Sequence, residues 1–141
     1  MTWLIFAILS AVSAAFVSIF GKMGLQNVDS NTATAVRSII MTLFLVAVVA
    51  FEGSLSKIPH IIAEKKTFLF IILSGIAGAT SWLFYFLALK TGKVSQVAPI
   101  DKLSVVLATI AAIAFFGEKL SLLNGIGVGL ITVGVILTAL H

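Results

Sequence analysis

The sequence predicts an all-α integral membrane fold: five transmembrane helices in a single domain over residues 1–141. Three observations predict it. Hydrophobic residues make up 60% of the chain and charged residues only 10%, a balance outside that of an ordinary soluble domain. The apolar residues fall into five runs, about 3–21, 33–51, 67–89, 94–117 and 120–140, each near the roughly 20 residues needed to cross a bilayer. The polar connections between them are too short to fold separately.

The same composition excludes several classes. The net charge of +4 is spread over short loops, with no basic run interleaved with aromatics, so no nucleic acid is expected as a partner. The absence of cysteine removes disulfides, thiol catalysis and thiolate metal sites. The two histidines, His60 and His141, lie in a connection and at the terminus, and no metal cluster is expected. No nucleophile elbow, P-loop or zincin motif is present.

The first span carries no charge, and Trp3 fits an interfacial anchor at its start. A signal peptide is the competing reading. It is set aside because no basic residue precedes the apolar run and four more runs follow. Ala7, Ala11, Ala14 and Ser18 recur at helical spacing, and Lys22 continues that stripe. Small residues so spaced permit close helix packing.

The second span has an uncharged part, 38–51, that is too short to cross alone. Adding residues 33–37 completes it and puts Arg37 about one turn inside. The connection 52–66 holds Pro59, a basic end and the apolar residues Ile58, Ile61 and Ile62. It reads as an ordinary membrane-edge loop or as a segment lying in the interface.

The third span is uncharged and sets Gly75, Gly78, Trp82 and Tyr85 on one face. That face is either the floor and wall of a pocket or helix packing with an aromatic belt. The fourth span has Pro99 near its first turn, where a missing N–H costs least. Val97, Asp101, Ser104, Ala108 and Ala112 share a small, partly polar face that should look inward. Lys102 is rotated about 100° away and able to snorkel to its own interface. The fifth span contains Gly125-x-x-x-Gly129, a packing pattern that serves equally within a subunit or between two.

Asp101 and Lys102 make the fourth span unusual. Two ions near a bilayer centre cost about 5–7 kcal/mol on insertion scales. The eleven strong apolar residues from Val94 to Phe116 return about 3–7 kcal/mol. The sums nearly cancel, so this span gains from having its charges shielded by protein or water. Alternating spans bring Lys22, Arg37, Asp101 and Lys102 toward one face of the membrane. Asp101 is expected to pair with Arg37 or Lys22, as a functional charge or as a static ion pair.

Lys and Arg in the loops set orientation. One side has Lys57, Lys65, Lys66 and Lys119; the other has Lys22, Lys90 and Lys93, with Arg37 and Lys102 partly immersed. The two sides balance. Such a chain is able to insert both ways. Two copies in opposite orientation would give ten helices about an in-plane two-fold axis, an inverted-repeat architecture.

The segment Ala88-Leu89-Lys90-Thr91-Gly92-Lys93-Val94-Ser95-Gln96-Val97-Ala98-Pro99-Ile100 resembles the helix 3–4 junction of the EamA-like domain of the drug/metabolite transporter superfamily. So do Phe115-Phe116-Gly117-Glu118 followed by Lys119-Leu120, the glycine-rich last helix, Lys22 and Arg37. The resemblance covers the whole chain as one five-helix unit. Typical members carry two such units in opposite orientation, so this chain resembles the half-size bacterial and archaeal group, which must dimerise. The resemblance implies export or exchange of small metabolites, amino acids or drugs by alternating access in the cytoplasmic (inner) membrane. Distant four-helix multidrug exporters couple protons through a glutamate in helix 1. Helix 1 here has none, which leaves Asp101 as the acidic candidate.

The expected function is therefore secondary transport of a small organic solute by an antiparallel homodimer in the lipid bilayer. The alternative is a non-transporting membrane subunit, or half of a heteromeric carrier. No enzyme chemistry and no cofactor are expected. The substrate or gate candidates are Asp101, Arg37, Lys102, Lys22, Trp82, Tyr85 and Ser104. The helix-packing candidates are Gly75, Gly78, Gly125 and Gly129.

Overall fold

The computed structural model describes residues 2–140; His141 lies outside them. The elements in order are α1 (Thr2–Gly24), α2 (Ser30–Phe51), a 3-10 turn (Leu55–Lys57), α3 (Ile58–Ala63), α4 (Lys65–Thr91), α5 (Val94–Asp101), α6 (Leu103–Phe116) and α7 (Leu122–Ala139). Among the described residues there is no strand. Five segments are long and apolar enough to cross a membrane: α1, α2, α4, Val94–Phe116 and α7. At about 1.5 Å per residue, the 18-residue α7 is close to the roughly 30 Å hydrocarbon thickness. The 27-residue α4 overshoots it, and has lysines at both ends. This is a multi-pass, all-α membrane protein.

Helix starts follow local chemistry. Asp29 caps α2: its carboxylate accepts the Thr32 N–H at 2.8 Å and the Thr32 hydroxyl at 2.9 Å. These bonds, the backbone one first, hold the Asp29 carboxyl below its ordinary range. The cap starts α2 three residues earlier than the apolar run suggested, which sets Arg37 about two turns inside rather than one. Ser121 caps α7 by accepting the Asn124 N–H at 3.2 Å. Gly117 closes α6 in the left-handed conformation, at φ 65°.

The fourth span is not continuous. The helix ends at Asp101 and restarts at Leu103. Lys102 N–H reaches back only to Pro99 O, at 2.9 Å, and Val105 N–H only to Lys102 O, at 3.0 Å. These three-residue bonds tighten the chain locally. Pro99 is the sixth residue of α5, not a first-turn residue. Its missing N–H takes a donor from the ladder at Ser95 O.

The chain divides into two compact units. One is Gly21–Lys90; the other joins the residues up to Phe20 with those from Thr91 onward. In the second, α5 and α6 both pack on α7. In the first, α3 packs on the preceding 3-10 turn, and Ile58, Ile61 and Ile62 are exposed.

Burial runs opposite to that of a soluble protein. Ser18, Ser30 and Thr34 are buried, with Leu25, Phe86, Leu89 and Val135. Phe51, Phe115 and Leu122 are among many exposed apolar side chains. In a bilayer, lipid tails cover such surface, and small residues let helices approach. A Cβ at Gly75, Gly78 or Gly129 would meet nothing within 4 Å among the described residues, and one at Gly125 only the Leu120 side chain, at 3.4 Å.

Candidate functional site

Ser30, Thr34, Arg37 and Met41 recur at spacings of four, three and four along α2, and so share one face. Trp82, Phe86 and Leu89 repeat the pattern on α4. The two faces meet at Arg37. Its guanidinium carbon lies 4.2 Å from the Trp82 ring centroid and 4.4 Å from that of Phe86. Flat, weakly hydrated guanidinium is the cation best suited to aromatic faces. One terminal nitrogen, Nη2, points at the Met41 sulfur, at 3.6 Å. The other, Nη1, is buried with no hydrogen-bond partner. The Ser30 hydroxyl is likewise buried and unpartnered, while Thr34 donates to Ser30 O at 2.8 Å.

The surroundings fix this arrangement. Phe86 is only 2% exposed. It meets Tyr85 edge-on, with ring centroids 5.6 Å apart, and a Cβ at Gly21 would collide with its ring. Lys22 Nζ donates to Leu89 O, and Lys90 Nζ to Val28 O at 2.9 Å. Two lysines thus hold the end of α4 to the end of α1 and the turn before α2. Beside α2 runs a groove of about 580 Å³, lined by Val28, Asp29, Thr32, Ala33, Val36, Arg37 and Ile40.

The second cluster lies at the α5–α6 break. Lys102 Nζ is 3.2 Å from Asp101 Oδ2. Adjacent side chains on a regular helix point about 100° apart and do not face each other. The irregular turn at Lys102 is what lets them meet. The side chains are 53% and 35% exposed for Lys102 and Asp101. Ser104 is exposed in the first turn of α6.

Each of these charges has a contact within its own unit. Asp101 meets its neighbour Lys102. Arg37 rests on two aromatic rings, and Lys22 on a carbonyl. Of the aromatic pair expected on the third span, Trp82 reaches Arg37. Phe86 supplies the second ring, because the contact follows the four-residue step from Trp82. Phe86, Ser30 and Gly21 were missed by sequence reasoning. The available signal was that Trp82 and Phe86 lie four residues apart, matching the spacing of Arg37 and Met41.

The match to known proteins covers the whole unit. The model of the EamA-like transporter family matches residues 1–140. The chain belongs to the EamA-like transporter family. A curated relative from a Sinorhizobium species, described as an uncharacterized transporter in the cobO 3' region, is 42% identical over 138 residues. The alignment covers 98% of this chain and 96% of that protein, so the two are nearly equal in length. No solved structure matches. In this EamA-like protein, both clusters fall within the residues that the family match covers.

Proposed function

We propose that this EamA-like protein is a secondary transporter of small organic metabolites, working by alternating access as an antiparallel dimer in the cytoplasmic membrane. The observation that carries the reading is the interrupted fourth span with an ion pair at the interruption. Irregular backbone and ionised side chains at membrane depth are tolerated where they are buried in protein or line a cavity. Broken spans are also the recurrent substrate and coupling sites of secondary carriers. Asp101 is the acid of that site, and Lys102 its counter-charge. Exchange of the Asp101 carboxylate between Lys102 and a proton or solute gives the site two states.

Charge supports the dimer. The loop lysines are balanced across the membrane, so copies insert in both senses, and two copies in opposite senses make an inverted pair. The test is uptake into proteoliposomes over a panel of labelled organic acids, amino acids and amines. Asp101→Asn is expected to abolish uptake of the transported solute while the purified protein stays dimeric. Wild-type uptake by that variant removes Asp101 from the mechanism.

A further inference from the structure

Arg37 presents an unsolved charge. Arginine stays protonated under all ordinary conditions, and this one sits in a membrane span. Its ring contacts cover the faces of the guanidinium and leave the in-plane N–H edge. On that edge, Nη2 has only a thioether and Nη1 is buried with no acceptor. Among the described residues of its own unit, Gly21–Lys90, no carboxylate pairs with it. Asp29 lies eight residues, or about 12 Å, back along α2 and is engaged with Thr32. A half-buried cation with a buried, unfilled donor is costly. Two aromatic rings nevertheless hold it in one orientation.

We infer that Arg37 is an anion-recognition point in its own unit, and that the solute it takes is a small organic monoanion bearing a carboxylate. This rests on the transport reading above. A guanidinium edge matches a carboxylate in plane; Arg37 lines the groove, and its buried Nη1 turns toward the groove to meet one. The adjoining groove is otherwise largely apolar, with Val28, Ala33, Val36 and Ile40 along it, which suits an apolar body attached to the carboxylate. One positive charge neutralises one negative charge. The guanidinium carries a single charge, so a dianion such as a phosphate monoester would leave one negative charge unmatched at Arg37, beside apolar surroundings. The Ser30 hydroxyl, buried on the same face of α2 without a partner, is a second polar group there.

Trp82 makes the site visible. The chain has two tryptophans, so Trp3→Phe leaves Trp82 as the single indole, stacked on the group in question. That variant in nonionic micelles is titrated with cyclohexanecarboxylate, cyclohexanecarboxamide, cyclohexylamine and, at pH 8, cyclohexyl phosphate. The expected result is a saturable change in Trp82 emission with the carboxylate. The amide and amine give none, and the phosphate binds at least tenfold more weakly. Adding Arg37→Gln is expected to remove the response. Should that variant fail to fold, Arg37→Lys decides: it keeps the charge but loses the planar edge, and is expected to bind severalfold more weakly.

Undiminished binding by either variant overturns the inference. So does a response to the amine or amide in place of the carboxylate, tighter binding of the phosphate, or no response to the carboxylate. Carboxylate binding without flux into proteoliposomes sustains the anion site and sinks the transport reading. Flux of amines without carboxylate binding does the reverse.

Discussion

Gly21 and Gly78 are chemically identical and structurally opposite. A Cβ at Gly21 would collide with the nearly buried Phe86 ring, whereas one at Gly78 meets open space among the described residues. Phe86 cannot move without disturbing Arg37 and Tyr85, which both contact it. Gly21→Ala is therefore expected to destabilise the protein by about 1–3 kcal/mol, the usual cost of overpacking, read as a lower Tm in detergent. Gly78→Ala should leave Tm unchanged or raise it slightly, since alanine is the better helix former. A fall at Gly78 equal to that at Gly21 would show that its open face is covered by another subunit. Both glycines were visible in the sequence, but only Gly78 was singled out there, because it belonged to a periodic stripe. Gly21 is adjacent to nothing in sequence that predicts a ring 65 residues away.

At the scale of elements, the caps and the broken span make separate predictions. Asp29 contributes to the start of α2 through its ionised form, and its folded pKa is depressed. Such a group adds stability above its unfolded pKa, near the ordinary 3.8, and loses it as pH falls through the lower folded value. The Tm gap between wild type and Asp29→Ala should be constant from pH 7 to about pH 4 and shrink below that. A gap unchanged at pH 2.5 would assign the effect to the side chain's shape rather than its charge. For the fourth span, Pro99→Ala restores an N–H to the ladder at Ser95 O. Amide exchange around residues 99–103 should slow and transport should fall severalfold, with no loss of Tm. An unchanged rate would show that the break takes no part in the working cycle. The five spans were legible from apolar runs alone. The break was not, because Pro99 sits three residues before it and the run of apolar residues continues through.

The whole molecule raises the question of orientation. Balanced lysines on the two faces predict that copies insert both ways. The chain has no cysteine, so Asn27→Cys and Ser56→Cys, in exposed turns on opposite sides by span count, give clean reporters. In intact cells, an impermeant maleimide should label about half of each variant, and the rest only after permeabilisation. All-or-none labelling would fix one orientation and call for an oppositely oriented partner chain. Composition and run length by themselves determined the membrane class, the five spans and the low charge, because insertion depends on hydropathy summed along the chain. Motif order was enough for the family resemblance that the full-length match then established. Which charges meet was decided only in three dimensions. Asp101 found Lys102 through a local break in the helix, and Arg37 found Trp82 and Phe86 across two helices. Contacts between helices depend on rotation and depth, and a linear apolar pattern fixes these only loosely.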